Sequence, residues 1–274
     1  MTDINLHYQH VRSRVFKEYR FSAYTYRLYD SKLRFIHAYR YRFFFSRLPQ
    51  HADAIRGCKM LEVGCSDLFT LAMLSEGGLS PRSYLGIDVF WEDAERYANS
   101  NAKALAQKFH IDIETINQSS DQPVPDTDFD TCFLLETLEH LPNEDVALEN
   151  IKNALRPNGL LFLAVPVEFG VLFAAKETAR FFLSGRSDYT ASEFLNAMRG
   201  RLDSVSRVVG DHKGYDFRRT TARLSNLGFQ LVSQAIFPGP TATLGYSPIS
   251  VWRKGGQETP AIESISSQRH STSG

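Results

Sequence analysis

The chain has 274 residues, 43% of them hydrophobic and 23% charged, and its 31 basic residues balance 31 acidic ones. This length means one large domain or one domain with additions, and the neutral total excludes a uniformly basic nucleic-acid binder. Cys58, Cys65 and Cys132 are widely spaced and form no Cys-x-x-Cys pair, which argues against a disulfide framework and a thiolate zinc site.

The first residues lack a charged segment followed by an apolar core, so no signal peptide is expected. No apolar run reaches the ~18 residues of a membrane span, and the expected setting is cytoplasmic. Between Arg12 and Lys59 stand twelve of the basic residues, against only Glu18, Asp30 and Asp53, together with six of the twelve tyrosines. No Pro or Gly interrupts residues 1–48. One or two helices are expected there, ending near Leu48-Pro49. The aromatics of this extension (residues 1–57) either pack on the rest of the chain or serve, with the arginines, as a surface for phosphates, RNA or lipid headgroups.

From Cys58 the pattern alternates. Strands are expected at Lys59–Val63, Tyr84–Val89, Ile111–Ile116, Thr131–Leu135 and Leu160–Val165, with helices at Leu68–Ser75, Glu92–Phe109 and Glu144–Leu155. Such alternation builds a parallel sheet with helices on both faces. Nearly all-apolar strands such as Leu160–Val165 suit a sheet buried on both sides. Residues 168–210 interrupt the rhythm with helical runs at Phe169–Leu183 and Ala191–Leu202. An insertion there is where α/β enzymes place a substrate lid; the alternative is a helical pair that thickens the core or forms a dimer contact. The sheet pattern resumes with Thr220–Leu227, Gln230–Phe237 and Pro248–Lys254, and the polar residues 255–274 are expected to be a disordered tail.

Met60-Leu-Glu-Val-Gly-Cys-Ser-Asp-Leu68 is a strand feeding a glycine-bearing turn and a helix. Gly64 permits close backbone approach, and the helix N-terminus offers free N–H groups to a ligand. Asp88 follows Gly64 by twenty-four residues at the end of the second strand, where a carboxylate can accept from both hydroxyls of a ribose. These two marks alone indicate a nucleoside-type cofactor, either NAD or S-adenosylmethionine (SAM).

The order of the motifs is more specific. Glu62-Val-Gly-Cys-Ser66, Gly86-Ile-Asp88, Pro123–Asp130, Glu136-Thr-Leu-Glu-His-Leu141 and Leu155-Arg-Pro-Asn-Gly-Leu160 resemble the class I SAM-dependent methyltransferases, in the group containing the ubiquinone and menaquinone biosynthesis enzymes. The resemblance spans about residues 58–166. It implies a Rossmann-like α/β sheet of seven strands, mostly parallel with the last antiparallel, carrying the amino-terminal helical extension and the helical insertion after the fifth strand, with the methyltransferase domain at 58–254. It implies SAM contacts at Glu62, Gly64, Cys65 and Ser66, ribose contact at Asp88, and cofactor walls at Val89, Gln118, Ser119 and Leu135. Ser66 and Leu68 stand where the family's turn has its second and third glycines, and Gln118 where an acid usually meets the adenine amino group.

The Asn/Asp-Pro-Pro-Tyr signature of amino methyltransferases is absent after the fourth strand. In a helical turn, Glu136, Glu139 and His140 would share one face, and two carboxylates with an imidazole suit Mg²⁺ or Mn²⁺. A fourth ligand would come from Asp211-His212-Lys213. The pairing resembles the 2′-O-methyltransferases of small-RNA 3′ ends, which implies a metal at Glu136, Glu139, His140 and His212. Without metal, His140 or His212 is the candidate catalytic base. The expected function is O-methylation of a small molecule, sugar or polyol, or another glycan acceptor. The alternatives are RNA 3′-terminal methylation, C- or N-methylation of a metabolite, and a non-catalytic SAM-fold binding module. Peripheral membrane contact stays open through the apolar run Phe169–Leu183.

Overall fold

The computed structural model describes residues 8–29, 35–91 and 93–256. The expected disordered tail therefore lies, from residue 257 on, outside the described residues. Seven strands make one sheet: β1 (Lys59–Val63), β2 (Ser83–Asp88), β3 (Asp112–Asn117), β4 (Phe129–Leu135), β5 (Leu155–Ala164), β6 (Phe229–Phe237) and β7 (Ser247–Lys254). Their order is β3-β2-β1-β4-β5-β7-β6. β1 pairs in parallel with β2 and β4, whereas β7 runs antiparallel to both β5 and β6. This is the expected doubly wound sheet, six strands one way and the last reversed.

The central strands explain the layering. Met60, Leu61, Val63, Cys132, Phe133 and Leu134 are almost wholly buried although successive side chains point to opposite faces. Both faces therefore need cover, which the crossover helices α5 (Phe69–Glu76), α6 (Ala94–Phe109) and α7 (Glu144–Ala154) supply.

The amino-terminal segment forms three helices rather than one or two: α1 (Tyr8–Glu18), α2 (Ala23–Tyr29) and α3 (Phe35–Arg47), followed by the short α4 (Ala52–Ile55). Pro49 starts the tight turn that closes α3. The aromatics of this segment pack inward. Tyr8, Tyr19, Phe21, Tyr29, Tyr41, Phe44 and Phe45 are buried in one core with α5. The Tyr29 ring stacks on Phe69 at 4.4 Å. Asp67 caps the start of α2, its Oδ2 accepting from Ser22 N, Ser22 Oγ and Thr25 Oγ1 at 2.8, 2.8 and 2.7 Å.

On the other face, a second core joins α7 with the insertion helices α8 (Gly170–Ser184) and α9 (Ala191–Met198) and with α10 (Phe217–Asn226). Thr220–Leu227 is thus part of a helix and not of the sheet. Asp216 caps it through Arg218 N, and Phe217, Thr220 and Leu224 recur on its buried side at helical spacing.

Candidate active site

The turn after β1 keeps a glycine-type backbone with only one glycine. Gly64 has φ +82°, and a Cβ there would lie 2.1 Å from Thr137 Oγ1, so only glycine lets the β1 and β4 ends meet. Ser66 (φ 47°) and Leu68 (φ 65°) adopt the left-handed region without being glycine. Such strain persists only where surrounding structure enforces it. Here Asp88 Oδ2 accepts the Ser66 N–H at 2.7 Å, tying the turn to the end of β2. The Leu68 side chain is fully buried in the core beneath the turn, and it does not line the cavity above.

That cavity measures about 690 Å³, within the ~300–1,000 Å³ usual for small-molecule and cofactor sites. Gly64, Cys65, Ser66 and Asp88 line one part of its wall, with Val89, Gln118, Ser119 and Leu135. Eight of the nine expected cofactor residues therefore face one space. Glu62 does not. It is 2% exposed and accepts from Tyr84 Oη at 2.7 Å beneath the sheet surface. Burial pushes its carboxyl up to about 7, the Tyr84 and Thr70 hydroxyls opposing the rise while Asp88 and Asp67 add to it. The Gln118 amide donates to Pro123 O at 3.0 Å, which leaves its side-chain oxygen to accept. The extension also reaches the cavity, through Tyr24, Thr25, Leu28 and Tyr29 of α2 and Arg40 and Tyr41 of α3. Trp91 joins them, its ring 4.7 Å from Tyr24. Sequence reasoning missed these contributors, because no motif links an amino-terminal helix to a distant sheet edge.

The acid–histidine group after β4 departs from the expected geometry. Glu136 leaves the strand with φ 51°, and only Leu138–His140 form a short 3₁₀ turn. The shared helical face is therefore not built. The left-handed step turns Glu136 away, where Arg40 Nη1 donates to it at 2.7 Å and Ser247 Oγ at 3.0 Å. Glu139, His140 and His212 do converge, with one potential ligand atom of each within 4.8 Å of the others. His212 Nε2 lies 3.3 Å from His140 Nε2, and both lie 3.9 Å from Glu139 Oε1. Glu136 stands outside this group.

The electrostatics of the trio are unusual. Glu139 is fully buried, and neither carboxylate oxygen has a hydrogen-bond partner among the described residues. Burial, with Glu136 close by, pushes its carboxyl well above the usual range. His140 Nδ1 is 3.0 Å from Gly210 O. A carbonyl only accepts, so the ring proton is on Nδ1 and the Nε2 lone pair faces Glu139 and His212. Burial holds the His140 pKa below its ordinary value, leaving the ring neutral. A buried carboxylate facing imidazole lone pairs fits a divalent cation as a missing counter-charge.

The comparisons with known proteins bear on the domain and the fold. Residues 61–163 match the family described as "Methyltransferase domain". A ubiquinone biosynthesis O-methyltransferase of Sinorhizobium fredii is 23% identical over 180 residues, covering 63% of this chain and 69% of that protein. One from Pasteurella multocida is 28% identical over 129 residues, covering 43% of this chain and 50% of that protein. The chain thus spans about half the length of some of the curated relatives it matches. Among solved structures, a SAM-dependent methyltransferase from Methanosarcina mazei shares the fold with TM-score 0.50 at 16% identity, covering 76% of this chain and 98% of that one. A methyltransferase from Bacillus halodurans does so with TM-score 0.51 at 15% identity, covering 77% and 98%. The turn, the sheet order and the domain match together identify the chain as a SAM-dependent methyltransferase with the class I fold, similar to the ubiquinone biosynthesis O-methyltransferases named above.

Proposed function

We propose that this enzyme transfers the SAM methyl group to a hydroxyl of a small molecule bearing adjacent oxygens, such as a catechol, sugar or polyol, with help from Mg²⁺ or Mn²⁺. The observation that carries the reading is the convergence of Glu139, His140 and His212 on the wall of the same cavity that Asp88 and the Gly64 turn line. The relatives named as O-methyltransferases support oxygen as the acceptor atom.

In the reaction, an acceptor oxygen lone pair attacks the sulfonium methyl carbon in line with the leaving sulfur. The C–S bond breaks, S-adenosylhomocysteine leaves, and the hydroxyl proton passes to water. Asp88 and the turn amides hold the nucleoside and methionine ends, so that most of the rate comes from placing methyl and oxygen about 3 Å apart. Glu139, His140 and His212 would hold the divalent cation, which when bound would supply Lewis acidity toward the acceptor hydroxyl. Arg40 and Ser247 hold Glu136 beside the same wall.

The arginines of the extension support a small acceptor over RNA. Arg40 is buried against Glu136, Arg14 pairs with Glu76 at 3.5 Å, and Arg12 donates to Tyr29 O. These groups act as internal fasteners more than as a phosphate track.

The test is methyl transfer from labelled SAM to catechol, polyol and ribonucleoside acceptors, with Mn²⁺ or with EDTA. Turnover of a vicinal-oxygen acceptor that EDTA stops and Mn²⁺ restores, without change in SAM affinity, is the expected result. Turnover that survives chelation overturns the metal-assisted step and leaves neutral His140 as the base.

A further inference from the structure

Glu168 follows β5 and is 2% exposed. Its Oε1 lies 3.5 Å from His212 Nδ1. From α8, Lys176 Nζ donates to both of its oxygens at 2.7 and 2.9 Å, and Tyr189 Oη donates to Oε2 at 3.4 Å. The opposite edge of the same imidazole presents Nε2 to His140 and Glu139. No part of the proposed reaction uses Glu168, and the sequence motifs did not single it out.

A neutral imidazole carries one ring proton, and the partner of one nitrogen decides the role of the other. An ionised carboxylate beside Nδ1 is an acceptor only, so it draws the proton there and leaves the Nε2 lone pair facing Glu139. His140 is arranged the same way by a different acceptor, the Gly210 carbonyl at 3.0 Å. Two histidines whose Nδ1 atoms both meet acceptors, and whose Nε2 atoms lie 3.3 Å apart, form a paired donor set for a cation. Lys176 keeps Glu168 in place and charged from the neighbouring helix.

We propose that Glu168 is a positioning residue for a divalent-cation site, orienting His212 through Nδ1, and that Lys176 ties the insertion helix α8 to that site. This rests on the metal reading above. The insertion then does more than cover an acceptor. It completes the outer layer of the site, because Lys176 and Tyr189 both act on His212 through one buried carboxylate. Partners of this kind typically change metal affinity by ~10–100-fold when removed.

The experiment is calorimetric titration of the full-length protein with Mn²⁺, for wild type, Glu168→Ala, Glu168→Gln and the double variant Glu168→Gln/Lys176→Met. The double variant removes both charges and keeps the interior neutral, should Glu168→Ala fail to fold. The ¹⁵N shifts of the His212 ring are recorded alongside, since a purely structural role would not move its tautomer. Glu168→Ala is expected to bind Mn²⁺ ~10–100-fold more weakly, with SAM affinity unchanged and the Nδ1–H tautomer of His212 depleted, and so is the double variant, whose amide is no longer held in place by Lys176. Glu168→Gln, whose amide oxygen still accepts from Nδ1, is expected to lose less. Equal Mn²⁺ affinity in wild type and the folded variants, or an Nε2–H tautomer in the metal-free wild type, overturns the positioning role while leaving the metal reading standing. A wild type that takes up no Mn²⁺ overturns both.

Discussion

Arg40 and Glu136, 96 residues apart, form an ion pair of 2.7 Å whose side chains are only 5% and 12% exposed. The pair joins α3 of the amino-terminal extension to the strand end that carries the acid–histidine group. Removing one partner strands the other charge in a low-dielectric site. Arg40→Met is therefore expected to cost about 3–5 kcal/mol in urea-induced unfolding. The double variant Arg40→Met/Glu136→Gln should recover most of it. A single variant as stable as wild type would show that the charges are hydrated in solution.

Asp88 has two tasks, facing the cavity and holding the Ser66 N–H at 2.7 Å. Asp88→Ala should weaken SAM binding by about 2 kcal/mol or more, since hydrogen bonds to a charged partner are the strong ones. Asp88→Asn keeps an accepting oxygen for Ser66 and should fall between. Calorimetric titration with SAM gives the order, and unchanged affinity in Asp88→Ala would sink the ribose contact.

The Glu139 carboxylate lies buried without a hydrogen-bond partner among the described residues. A cation that binds only the folded protein stabilises it by about 2.7 kcal/mol at one hundred times its Kd. Mn²⁺ should therefore raise the melting temperature of the wild type and EDTA should reverse the rise. Glu139→Gln should melt at the same temperature with or without Mn²⁺. A rise of equal size in both proteins would place the ion elsewhere.

Glu62 sets a pH dependence. Its carboxyl titrates near 7 when folded, because burial disfavours the charge, and near ~4.3 when unfolded. Between those values the unfolded chain has released a proton that the folded one still holds, so stability falls as pH rises, by about 1.4 kcal/mol per unit at most. Above pH 7 the penalty is constant. Glu62→Gln should remove it, gaining on the wild type at pH 8 and matching it near pH 4. Denaturation midpoints at both pH values check this; a gain that is independent of pH would assign the effect to packing.

The sheet was legible because its strands are short apolar runs closed by turn residues, and their two-sided burial forces the crossover helices. The ends of these elements shifted by a few residues at most in β1 to β4. Thr220–Leu227 was misread because its apolar residues suit either period over so short a span. Leu68 stands where the family's turn has its third glycine, a position where backbone and cofactor usually come close. The left-handed backbone at Ser66 and Leu68 instead preserves the turn and sends the Leu68 side chain into the core, an outcome invisible to residue type alone.

The linear chain by itself determined the fold, the glycine turn after β1, the carboxylate at the end of β2, and the identity of three acid or histidine groups that meet. These rest on local patterns: strand, glycine turn, carboxylate at a strand end, short motifs at fixed spacing. Only the tertiary structure decided that Glu62 turns inward, that Glu136 is taken by Arg40, and that Glu168 reaches His212. Each of those outcomes depends on a side-chain direction or a partner from a distant element. One left-handed residue at 136 rotates a carboxylate from a shared face into an ion pair, and no spacing along the chain records that rotation.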